Sequence, residues 1–167
     1  MRNVLTLCFA VLTVVLLFID PASAGFTALG TVASYSFGDG NLTTTKALPS
    51  GASAVTSDGI DLGEGTTGTF TTPCEFLLSA PAVTTAMLGD TATIKYDVIT
   101  SANADMSSPV TLQSTILTQT GAGGAGAAAA SKRFRVPTDT LRYVAVKATK
   151  SASGDASTVS MTLSLVF

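Results

Sequence analysis

Thr158-Val159-Ser160-Met161-Thr162-Leu163-Ser164-Leu165-Val166-Phe167 decides the fold class. Val159, Met161, Leu163, Leu165 and Phe167 share one parity, with Ser160, Thr162 and Ser164 on the other. Successive side chains of a strand point to opposite faces, so this is a strand with one face in a core and one in water. Working back along the chain, the pattern recurs. Ala92–Thr100 sets Ile94, Tyr96 and Val98 against Thr93, Lys95 and Asp97. Val110–Gln119 alternates around Val110, Leu112 and Ile116; Ser131–Val136 sets Phe134 and Val136 against Arg133 and Arg135, and Pro137 closes it. Leu141–Thr149 is a further strand, Ile60 and Leu62 lie in a strand-like tract opened by Asp58-Gly59, and Cys74–Leu78 is a short buried run. Regularly spaced short strands separated by Gly, Ser and Pro predict an all-β sandwich or barrel over about 54–167. Its inward positions are expected to include Ile94, Tyr96, Val98, Leu112, Ile116, Val144, Val146, Met161, Leu163 and Leu165.

The side chains on offer exclude most chemistry. The 167 residues contain no His, no Trp and two Cys, and carry a net charge of −2. Without His there is no Ser-His or Cys-His pair and no imidazole metal site. Nothing in the spacing selects a carboxylate pair such as Glu64 and Glu75, or a Ser-Lys dyad. The expectation is a protein that is not an enzyme and takes no cofactor, metal or small-molecule substrate. Gly121-Ala122-Gly123-Gly124-Ala125-Gly126 has the letters of a dinucleotide fingerprint. That motif needs a long helix after it, and only Ala127–Ala130 intervenes before a basic strand, so Gly121–Ala130 reads as a flexible loop. Asp58, Asp61 and Glu64 read as solvated turn residues rather than Ca²⁺ ligands, because alternation sends them to different faces. Cys74, beside an apolar run, reads as a small buried hydrophobe.

Residues 1–24 form an apolar leader. Arg2, the apolar run Val4–Ile19 and Ala22-Ser23-Ala24 match a secretory signal peptide cleaved before Gly25; the competing expectation is a retained hydrophobic arm. The stretch 25–53, rich in Gly, Ser and Thr, is expected to be an arm or an edge hairpin. Its Phe26, Leu29, Tyr35 and Phe37 are candidate partner contacts. Charge is unevenly placed. From Gly25 to Ser131 there are eight acids and two bases, and from Lys132 to Lys150 six bases and one acid. Lys132, Arg133, Arg135 and Arg142 in that basic tract are candidate contacts for an acidic partner, with Lys147 and Lys150 beside them; the small net charge argues against nucleic acid.

Three tracts carry a resemblance: Ser57-Asp58-Gly59-Ile60-Asp61-Leu62-Gly63; Val98-Ile99-Thr100-Ser101 through Ser107-Ser108-Pro109-Val110-Thr111-Leu112; and the Arg/Phe strand, Pro137, then Leu141-Arg142-Tyr143-Val144-Ala145-Val146-Lys147. From about Asp58 onward the chain resembles the cement (decoration) proteins of tailed-bacteriophage capsids of the Bordetella podovirus type. The resemblance implies a jelly-roll sandwich that forms a homotrimer on the capsid exterior and bridges neighbouring major capsid proteins. The alternative, from the leader, is an exported, periplasmic or secreted surface-structure or adhesive sandwich.

Overall fold

A computed structural model describes residues 42–63, 75–135 and 137–166. These contain nine strands and no helix: β1 (Thr43–Ala47), β2 (Ala54–Thr56), β3 (Ile60–Asp61), β4 (Glu75–Ala80), β5 (Thr93–Ser101), β6 (Val110–Thr120), β7 (Ala130–Arg135), β8 (Tyr143–Lys150) and β9 (Ser160–Val166). All pair antiparallel, in two sheets. The first sheet has the order β1-β9-β4-β7; the second has β2-β8-β5-β6, with β3 also on β8. Only β5 and β6 are neighbours both in sequence and in a sheet. The other connections between successive strands, apart from β2 to β3, cross from one sheet to the other.

One apolar layer joins the sheets. Phe76, Leu78, Met161 and Leu163 from the first sheet meet Ile94, Tyr96, Val98, Val144, Val146 and Ala148 from the second. Leu112, Ile116 and Leu165 pack half-buried against it. The period-two reading therefore places the core strands correctly, as expected where one face of each strand is wet. Val110 departs from it and is 55 % exposed. Two register shifts, between Tyr96 and Val98 and between Val98 and Ile99, make β6 bulge against β5 and break its parity. Leu77, within the run read as wholly buried, lies half-buried on the outer face, because β4 alternates Phe76, Leu78 and Ala80 inward.

The sandwich also begins earlier than Ala54. Thr43–Ala47, inside the stretch expected as an arm or edge hairpin, pairs with β9 as an edge strand, and Leu48 after it is a core residue. The low hydrophobicity of Thr43-Thr44-Thr45-Lys46 hides this in the sequence. The leader, Cys74, Val136 and Phe167 fall outside the described residues.

Four loops close one end of the sandwich. Gly121–Ala130, expected to be a flexible loop, is zipped to the segment after β4. Thr91 N–H donates to Gly121 O at 2.8 Å, and Gly121 N–H to Ala92 O at 2.9 Å. Val83 and Ala127 exchange two backbone bonds of 2.9 Å each, Gly124 N–H reaches Asp90 Oδ1 at 2.9 Å, and Thr85 Oγ1 donates to Gly124 O. Glycine is what permits the approach: a β-carbon at Gly121 would overlap Gly89 O, and one at Gly126 would overlap Val83 O. Beneath this seam, Tyr96 Oη donates to Gln119 Oε1 at 2.6 Å, and Gln119 Nε2 donates to Pro81 O at 2.7 Å and Ala128 O at 2.8 Å. That buried amide ties β5 and β6 to the segments flanking β4 and β7.

Candidate contact face

The basic tract divides into residues engaged by the fold and residues that are not. Lys150 is buried, 2 % exposed, and its Nζ donates to Ala152 O and Ser153 O at 3.0 Å each and to Gly154 O. Three carbonyls match the three N–H donors of an ammonium, so this lysine is an internal staple for the β8–β9 loop. Burial lowers its pKa, and the Asp155 carboxylate works in the opposite direction. Arg142, just before β8, grips Asp61 of β3 with two bonds, Nε to Oδ1 and Nη2 to Oδ2, both 2.9 Å, and lies 5.1 Å from the centre of the Tyr143 ring. The guanidinium hydrogen bond is the main reason that the Asp61 carboxyl is held below its ordinary pKa; Gly63 N–H, at 2.8 Å, adds to it. Lys147 is exposed on the outer face of the second sheet, opposite Asp97 across the β5–β8 ladder.

Lys132, Arg133 and Arg135 remain. All three are exposed on β7, an edge strand bonded to β4 alone, and none has an ion pair among the described residues. Phe134 between them faces inward and stacks on Phe76 at 5.5 Å between ring centres. Arg133 and Arg135 therefore project from the outer face of the first sheet, while Lys132 lies on the inward parity at the edge. Spacing in the sequence puts Arg133 and Arg135 on one face but groups them with Arg142, whose partner Asp61 is distant in sequence, and with Lys150, which is held by carbonyls of the loop just after it. Phe26, Leu29, Tyr35 and Phe37 lie outside the described residues.

The outer face that carries Arg133 and Arg135 is laid out in rows. Register is unbroken across all four strands, giving Thr43, Ser164, Leu77 and Arg133 side by side, then Thr45, Thr162, Ser79 and Ser131. Arg135, Glu75 and Val166 form the row beyond. Thr43 Oγ1 donates to Ser164 Oγ at 3.1 Å, and the Thr45 and Thr162 hydroxyls are 3.4 Å apart. Short hydroxyl side chains bonded across the ladder make a surface of low relief. The outer face of the second sheet differs: it carries Lys95, Asp97 and Lys147, and its far end is covered by the 102–109 loop, which lays Met106 on Ile99 and Ala145. Among the described residues no cluster of three or more Cys, Asp or Glu is placed to hold a metal ion.

No protein-family model matches this chain, and no curated protein matches it.

Proposed function

We propose that this protein is a structural contact protein, a cement on the outside of a tailed-bacteriophage capsid that bridges major capsid proteins as a homotrimer. The observation that carries the reading is the strand order. Taking β2 and β3 as one interrupted strand, β1-β9-β4-β7 facing β2-β8-β5-β6 is the order produced when an eight-stranded pair of Greek keys is rolled into two sheets. That supports the jelly-roll form which the three sequence tracts imply. The deployment of polar groups agrees: Lys150, Gln119, Tyr96 and Arg142 all serve the fold itself, while Arg133 and Arg135 project from the outer face of the first sheet. A closed sandwich with such a face suits adhesion to another surface.

The leader-like residues 1–24 favour a second reading, an exported surface or adhesive sandwich. Density-gradient fractionation of the native protein, followed by N-terminal sequencing, separates the two. Sedimentation with DNA-filled heads is the outcome for a cement. Recovery from periplasm or medium with Gly25 at the N-terminus, and none on particles, would replace it with the exported reading.

A further inference from the structure

We infer that the outer face of the first sheet is the docking surface, and that its occupant is an acidic protein surface. The inference rests on the cement reading for the identity of that protein, but the chemistry of the face stands by itself. On a chain of net charge −2, this face is locally cationic: Arg133 and Arg135 project from it, and Glu75 is the one acid in its rows. The acids elsewhere are largely engaged. Asp61 pairs with Arg142, and Asp90, Asp97, Asp105 and Asp155 each accept a backbone N–H from a turn or bulge, at Gly124, Thr115, Ser107 and Ser157. Carboxylates that cap turns stay with their turns, and among the described residues Glu75, across the β4–β7 ladder from Arg135, is the acid that shares the face with the two arginines. Arginine forks carboxylate geometry in a bidentate manner, which a partner's Asp or Glu side chains can meet.

The remainder of the face fits a flat protein rather than a small ligand. Its rows are Ser and Thr hydroxyls around the half-buried Leu77. Short side chains already fixed by cross-strand bonds lose little rotamer freedom on docking, which favours a broad, shallow contact. Duplex DNA is the competing polyanion. Recognition of DNA by charge alone needs many phosphate contacts, and two arginines beside a glutamate make few.

The test uses the full chain and immobilised poly-glutamate at low salt, with duplex DNA as the comparison. The wild type is expected to be retained on poly-glutamate, to release near ~0.15 M salt as screening sets in, and to bind DNA more weakly. Arg133→Glu with Arg135→Glu should weaken retention by about tenfold or more, and Arg133→Ser with Arg135→Ser by less, both with an unchanged β-rich circular dichroism spectrum. Lys95→Glu with Lys147→Glu, on the opposite face, should leave retention within about twofold. A wild type that ignores poly-glutamate, prefers DNA, or loses retention equally through the Lys95/Lys147 pair would overturn the inference. The same variants tested on undecorated DNA-filled heads separate the two claims. Retention on poly-glutamate with no binding to heads overturns the cement reading alone.

Discussion

At Gln119 a single side chain satisfies three groups from three different segments: the Tyr96 hydroxyl and the carbonyls of Pro81 and Ala128. Burial pushes the Tyr96 phenol above its ordinary pKa, since the phenolate would lose its water. Its folded pKa exceeds the unfolded one, so the stability from this neutral phenol is complete below about pH 10 and is lost as pH rises through the folded value. Gln119→Leu keeps the volume and removes every partner. It should destabilise the fold by about 1–3 kcal/mol, read as a lower urea midpoint with unchanged slope, because a buried hydroxyl and two carbonyls are left unpaired. A neutral result would mean that water reaches the site. Gly121 is limiting in a different way. Gly121→Ala drives a methyl into Gly89 O and should cost about 1–3 kcal/mol. Gly51→Ala, with open space around its β-position and an ordinary φ, should change the midpoint far less. Equal effects at both positions would show that the seam between the loops is loose.

At the scale of elements, the edge strands β1, β2, β6 and β7 each carry something that discourages pairing with another chain. β2 has three residues, β6 is bulged, β1 has Lys46 and β7 has Lys132 on its inward parity. Short, bulged or charged edges are how sheets avoid edge-to-edge aggregation, and they direct contact to the faces instead. The β6 bulge is held by Thr115, whose φ of 51° is rare for a threonine and whose N–H donates to Asp97 Oδ1 at 2.7 Å. β1 is the edge to test by truncation. Removing residues 1–41 should leave cooperative thermal unfolding intact. Removing 1–48 takes away the β9 partner and the buried Leu48, and should cost more than the ~2–5 kcal/mol of one large-to-small core change. If the two truncations melt alike, β1 is not part of the cooperative unit. Alternation made the core of β5, β8 and β9 legible in the sequence, because each has one face in the core and the other in water, except where the 102–109 loop covers Ile99 and Ala145. β1 escaped because its inward Thr44 is not apolar, and Val110 because bulges reset parity without leaving a compositional mark. For the face, Arg133 and Arg135 were legible from their spacing alone. The loss of Arg142 to Asp61, 81 residues away, was not, and neither was the capture of Lys150 by Ala152, Ser153 and Gly154, which depends on how the β8–β9 loop folds back.

Across the whole molecule, the carboxylates that hold loops in place make stability fall in acid. Asp61 is held below its ordinary pKa chiefly by Arg142, and Asp105 and Asp155 chiefly by the side-chain hydrogen bonds of Ser107 and Ser157. In each case the folded pKa is below the unfolded one. The stability they contribute is therefore complete above about pH 5 and is lost as pH falls through about 4 and below. Thermal midpoints should be flat from about pH 5 to 8 and decline modestly under about pH 4, since these carboxylates are largely solvated; Asp61→Asn should lower the plateau slightly and shrink the acid loss. Midpoints that rise on acidification would contradict this assignment. Two differently built faces remain: one charged and partly covered by a loop, the other a level array of hydroxyls bordered by arginines. An electron cryomicroscopy reconstruction of DNA-filled heads bearing this chain tests the central claim most directly. The account predicts sandwich density on the capsid exterior, in threefold clusters, with the Arg133 and Arg135 face turned toward acidic side chains of the major capsid protein. Heads with no such density, or a sandwich whose Lys95 and Lys147 face meets the shell, would contradict it.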